Sequence, residues 1–167
     1  MKPVAARSVS LAIALVFGFA AVVRAEDLRL LPDVIGTAQI YAADGNTGLA
    51  LGGRDPVSYQ IDGRPIPGSA NLEASWAGLA WRFAREANRA AFLRAPETLA
   101  PRIGGYDADA AAGGRLVEAD PEIFLTAGGR LYLFRTAASR ARFVADSGTG
   151  PRAEAQWLEL RRGLVRG

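Results

Sequence analysis

The first apolar block of the chain is continuous rather than periodic. Residues 11–23, from Leu11 to Val23, hold no polar side chain, and Lys2 and Arg7 precede them. Val23-Arg24-Ala25 then puts small or short residues at the two positions a signal peptidase reads. This is the layout of an export leader over 1–25, with Glu26 as the new N-terminus. The run is shorter than the roughly 20 apolar residues of a spanning helix. Retention as an uncleaved anchor is the alternative.

Beyond the leader the periods become short. Residues 26–47 are weakly periodic, with Leu28, Leu30, Leu31, Val34, Ile35, Ile40 and Tyr41, and read as an arm lying on the domain. Asp44-Gly45-Asn46-Thr47-Gly48 has the chemistry of a loop. Val57, Tyr59 and Ile61 alternate with Ser58, Gln60 and Asp62, which predicts a strand turning at Asp62-Gly63. Pro65 and Pro67 confine the returning segment to an edge or loop. A second hairpin is predicted around Ala77-Gly78, with Leu79, Trp81 and Phe83 on one face.

Phe83, Ala87, Ala91 and Ala95 recur every four residues beside Phe92, predicting a helix stopped by Pro96. Glu86 lies in its first turn, where the helix dipole favours an acid. Pro96-Glu97-Thr98-Leu99 begins a short further turn, ended by Pro101. Strands are expected over 123–126 and 130–134, joined at Gly128-Gly129. Leu131-Tyr132-Leu133-Phe134 is apolar on both faces, as in a strand covered on both sides. Thr136 caps a helix over 137–146. Ser147 to Gly150 breaks it, and Pro151 suits the first turn of a last helix with Trp157, Leu160 and Leu164 on one face. Gly-Gly-Arg occurs at 52–54, 113–115 and 128–130 with irregular spacing, which reads as turns and not as repeats. The expected fold class is therefore α+β: a small single domain of short antiparallel β-hairpins packed with three or so helices, over 48–167.

Composition narrows the chemistry. The 167-residue chain has a formal charge of +3, but Lys2, Arg7 and Arg24 lie in the leader, which has no acid. The remainder is formally neutral and lacks the concentrated basic face of a nucleic-acid binder. There is no cysteine and no histidine. Disulfides are excluded, as is nearly every zinc, copper or iron–sulfur site. Ser–His and Cys–His nucleophilic catalysis is excluded on the same ground. No cofactor is expected, nor stable membrane insertion once the leader is removed.

An ordered set of short motifs carries a resemblance. It begins at Gly48-Leu49-Ala50-Leu51-Gly52-Gly53-Arg54-Asp55-Pro56-Val57-Ser58-Tyr59 and continues through Gly63, Pro65 and Gly68-Ser69-Ala70. Trp81-Arg82-Phe83-Ala84, Asn88-Arg89, Ala91-Phe92, Pro96-Glu97, Leu99-Ala100-Pro101 and Gly104-Gly105-Tyr106 follow. Asp120-Pro121-Glu122, Leu131-Tyr132-Leu133 and Trp157 complete it. In this order, over roughly 48–158, the chain resembles the exported branch of the YHS domain family. The resemblance implies a small α+β domain related to metal-handling modules. The family's cysteines match Ser58, Ala84 and Asn88 here, and the exported branch's cysteine after Gly-Gly-Tyr matches Asp107. The resemblance therefore implies the fold without the metal chemistry.

Candidate ligand-binding residues are Asp55, Tyr59, Trp81, Tyr106 and Asp107, with Trp76 beside them; the plainer account makes Asp55 a turn cap and the aromatics core. Asp107 and Asp109, two residues apart after a Gly-Gly, are too few for a calcium site and read as solvated loop acids. Glu86, Asn88 and Arg89 at one helix start are helix electrostatics rather than acid–base machinery. No catalytic residue and no metal ligand is assigned. The leading expectation is a periplasmic or secreted non-enzymatic domain that binds a small molecule or a protein. The alternatives are a metal-handling protein with oxygen ligands and a carboxylate-dependent enzyme.

Overall fold

Two β-hairpins organise the molecule, and each forms where two residues at positive φ separate apolar runs. The computed structural model describes residues 40–166. The leader at 1–25 and the arm up to residue 39 lie outside the described residues. The first hairpin pairs β1 (Ser69–Trp76) with β2 (Leu79–Phe83) around Ala77-Gly78, at φ 50° and 79°. The second pairs β3 (Asp120–Ala127) with β4 (Arg130–Phe134) around Gly128-Gly129, at φ 57° and 72°. Positive φ at both central residues matches the turn to the right-handed twist of the strands. Leu79, Trp81 and Phe83 are buried together, as their alternation predicts.

Helices fill the space around the hairpins. The short α1 (Ser58–Ile61) precedes the first hairpin, and α2 (Glu86–Arg94) follows it, ending at α3 (Pro96–Leu99). The second hairpin is preceded by α4 (Ala108–Ala112) and followed by α5 (Ala137–Ala145), whose N-terminus carries a capping box between Thr136 and Ser139. The last helix, α6 (Thr149–Arg166), lays Trp157, Leu160 and Leu164 on the second hairpin's cluster. The result is a small α+β domain of two two-stranded antiparallel sheets and six helices among the described residues.

Three local expectations give way. Val57, Tyr59 and Ile61 do not form a strand. Val57 and Tyr59 are buried within the α1 turn, Ile61 is 67% exposed, and Asp62 follows as the helix cap. A four-residue helix cannot display a 3.6-residue period, and Ser58 between Val57 and Tyr59 is itself buried, so the apolar alternation there does not mark a strand face. Asp62-Gly63 accordingly ends a helix rather than turning a hairpin. Asp107 does not sit in a solvated loop: it is 2% exposed and caps α4.

A larger feature lies outside these expectations. The chain repeats itself, with the step that separates Ser69 from Asp120. Both hairpins have strands of eight and five residues, and each breaks register at the same place, after Ser69 and after Asp120. Each is followed by a nine-residue helix. Upstream, with one residue more in the step, Leu51-Gly52-Gly53-Arg54-Asp55 matches Ile103-Gly104-Gly105-Tyr106-Asp107. Both glycine pairs take positive φ, 56° and 78° in one and 61° and 88° in the other. The backbone bonds match too. Asp55 N–H donates to Ile66 C=O at 2.8 Å and Asp107 N–H to Val117 C=O at 2.8 Å; Ala50 N–H donates to Ala80 C=O and Arg102 N–H to Leu131 C=O.

The two copies meet along β4. Leu131 and Leu133 face the first copy's core with Trp81, Phe83 and Phe92, while Tyr132 and Phe134 face the second with Phe143 and Trp157. Successive strand residues point to opposite faces, so one strand serves two clusters. The expectation that both of its faces are covered is met.

Candidate functional site

The most polar buried points are two equivalent aspartate nodes. Asp55 is fully buried. Its Oδ1 accepts from Val57 N–H at 2.9 Å, and its Oδ2 from Ala84 N–H at 2.9 Å and Asn88 Nδ2 at 2.7 Å. Ser58 Oγ donates to the Asp55 carbonyl at 2.7 Å. In the second copy Asp107 Oδ1 accepts from Ala110 N–H at 2.8 Å, and Oδ2 from Arg135 N–H at 2.7 Å and Ser139 Oγ at 2.6 Å. Each carboxylate thus ties the start of a short helix to the end of a hairpin and to the helix that follows. Ser58, Ala84 and Asn88, scattered in sequence, all touch the first node. Asp107 sits in the second.

The remaining candidates are framework. Trp81 is 1% exposed, and its indole N–H donates to the Trp76 carbonyl at 2.9 Å. The Tyr59 ring meets Phe124 edge-on, and its hydroxyl donates to the Pro121 carbonyl at 2.9 Å. Burial, with Glu122 nearby, pushes the Tyr59 hydroxyl well above its ordinary range, so it stays a donor. Half-buried Tyr106 stacks obliquely on Trp157; burial first, then Glu118, raises its hydroxyl. Asp109 is held by Arg142 at 2.7 Å. None of Asp55, Tyr59, Trp81, Tyr106 and Asp107 lines either of the two main grooves among the described residues.

The grooves use other residues. The first, of about 640 Å³, lies where the Gly-Gly turn of the first copy meets the base of the second hairpin. Its floor is Leu51, Gly52, Gly105 and Leu133, and its wall the segment 118–122. Glu118, Asp120 and Glu122 alternate along that extended segment and therefore share a side. Arg54 pairs with Glu122 at 2.6 Å, whereas Glu118 and Asp120 have no ion pair among the described residues. Asp120 Oδ1 accepts from Glu122 N–H at 2.9 Å, and Arg135 lines the far side. The alternation of acids at 118, 120 and 122 is a signal the sequence carries, but it becomes a wall only once the fold sets Gly52 opposite.

The second groove, of about 530 Å³, runs between Trp76 and α6. Tyr41, Trp157 and the 47% exposed Leu158 line it. Burial, with Glu97 adding, pushes the Tyr41 hydroxyl up to about 12. At its edge Glu154 is bound by Arg102 at 2.9 Å, by Arg130 at 3.1 Å and by the Tyr132 hydroxyl. Among the described residues no three carboxylates stand close enough to hold a metal ion. No helix among them is long and apolar enough to cross a membrane.

Comparison with models of protein families, with curated proteins and with solved structures returned no match.

Proposed function

We propose that this chain is an exported, non-enzymatic binding module of YHS-like build, periplasmic or secreted, whose small ligand sits in the groove beside Gly52. The observation that carries the reading is the gathering of Ser58, Ala84 and Asn88 around Asp55. The resemblance places thiolates at these three positions. Their convergence on one point is what a lost metal centre of that kind leaves behind, and the point is now filled by hydrogen bonds. Both Asp55 oxygens are engaged, so the node offers a metal ion no free ligand. Open, charged space lies instead in the Gly52 groove, within the 300–1,000 Å³ range of small-molecule sites.

The test has two parts. Intact mass of the exported protein is expected to show a chain starting at Glu26; a full-length, membrane-retained product overturns the export half. Titration calorimetry on tag-free protein is expected to show no zinc or copper site tighter than about 100 µM, roughly −5.5 kcal/mol. A stoichiometric micromolar site would favour a metal-handling protein with oxygen ligands.

A further inference from the structure

The two copies of the repeat are a comparison made within one molecule. Each presents a double-glycine turn at positive φ, but the turns meet different neighbours. At Gly104 the space a side chain would occupy is taken. A Cβ built there would stand 2.7 Å from two ring carbons of Trp157 and 2.5 Å from the Ile40 carbonyl. The turn is buried beneath an indole supplied by α6. At Gly52 the equivalent space is open. Among the described residues its only neighbour within 4 Å is the Pro121 ring, 4.0 Å from the built Cβ, and the glycine is exposed. One fold element therefore appears twice, once covered by an aromatic ring and once bare, and the bare copy floors the larger groove.

The charges of the bare copy point to the rest of the ligand. Asp44, Glu118, Asp120 and Glu122 outnumber Arg54 and Arg135, and Arg54 is already spent on Glu122. Glu118 and Asp120 stand two residues apart on an extended segment, roughly 6.5–7 Å along it. They are spread for an organic cation rather than gathered on a metal ion. Glu118 and Asp120 belong to the second copy; in the first copy the matching positions are Pro67 and Ser69, which carry no charge.

We infer that the Gly52 groove takes a small aromatic amine, with its planar ring seated on the Gly52 turn against Pro121, as Trp157 sits on Gly104, and its ammonium facing Glu118 and Asp120. The inference rests on the proposal that this groove is the ligand seat and adds the chemical class. The probe is tryptamine, titrated into the protein while backbone amide shifts are followed by NMR, with indole-3-acetate (ring without cation) and propylamine (cation without ring) as comparators. Saturable shifts are expected at Gly52, Arg54 and 118–122, with tryptamine binding about tenfold tighter than either comparator, the scale of one added aromatic contact. Gly52→Asn fills the seat with a residue that tolerates positive φ; it and Glu118→Gln are each expected to weaken tryptamine about fivefold, the size of one partly exposed charge contact. The exposed Glu118→Gln keeps the test valid should Gly52→Asn disturb the turn. If either comparator binds at these amides as tightly as tryptamine, the ring-plus-cation class is overturned and the groove stands as a seat. If no probe moves these amides, or tryptamine moves those of Trp76 and Leu158 instead, both the class and the groove are overturned.

Discussion

A buried carboxylate is stable only where donors replace the water it has lost, and Asp55 and Asp107 show the arrangement twice. In each, two oxygens accept from backbone N–H groups and from one side chain of the following helix, Asn88 or Ser139. Asp55→Asn turns one acceptor into a donor facing buried donors. It is expected to cost about 2–4 kcal/mol, the sum of unpaired buried groups, with Asp107→Asn costing a similar amount. Urea unfolding measures both; a loss under about 0.5 kcal/mol would mean the node does not hold the helices. At this scale the sequence was half legible. Asp55 before Pro56 announces a turn cap. Asp107 does not announce a helix cap, because α4 is mostly alanine and has no apolar period to mark it.

Hairpins and long helices were readable because their signals are local. Ala77-Gly78 and Gly128-Gly129 sit between apolar runs, and Thr136 precedes a helix with a capping box. The α1 turn was not readable, being too short to show its own period. Trp81 belongs to the readable class. Its ring contacts Tyr41, Trp76 and Phe92. Trp81→Ala is expected to destabilise by about 3–5 kcal/mol in chemical denaturation, as for other buried aromatics.

The last helix is fastened partly by charge. Burial alone would raise the Glu154 carboxyl, but hydrogen bonds from Arg102 and Tyr132 and the two nearby guanidiniums together hold it below its ordinary value. A depressed folded-state pKa gives stability that is present above the unfolded value and lost as pH falls through the folded one. Glu154→Gln is therefore expected to cost about 1–2 kcal/mol at pH 7, the range of charge-assisted bonds discounted for partial exposure. The difference from wild type should close as pH falls below the ordinary glutamate range in parallel thermal melts. A cost that stays constant with pH would mean the contact is one of packing.

At the scale of the whole molecule the two hairpins differ where they are most alike. The cross-strand pair Glu73–Arg82 in the first matches Phe124–Leu133 in the second. The first pair is a 2.6 Å ion pair at the surface; in the second, Leu133 is buried and Phe124 packs on Tyr59. The outer face of the first copy is thus charged where the second copy's is covered. Glu73→Phe with Arg82→Leu is expected to leave the fold intact and to raise the sedimentation coefficient in a concentration-dependent way, because it puts an apolar pair on a solvent-facing sheet surface. The repeat itself was legible in principle: Phe83, Ala87, Arg89, Ala90 and Phe92 match Phe134, Ala138, Arg140, Ala141 and Phe143. The more conspicuous Gly-Gly-Arg triplets fall at unrelated places and masked it.

Strand β4 has a consequence for how the molecule comes apart. Because Leu131 and Leu133 complete one core and Tyr132 and Phe134 the other, neither half can open while keeping its own interior dry. Loss of that single strand removes a wall from both. The halves are alike in build but not in independence: the second lends the first two leucines, and the first has only Ala80 and Arg82 at the matching positions. Melting should accordingly be one event seen alike by every probe, and the slowest-exchanging amides should cluster on that strand rather than divide between two subdomains.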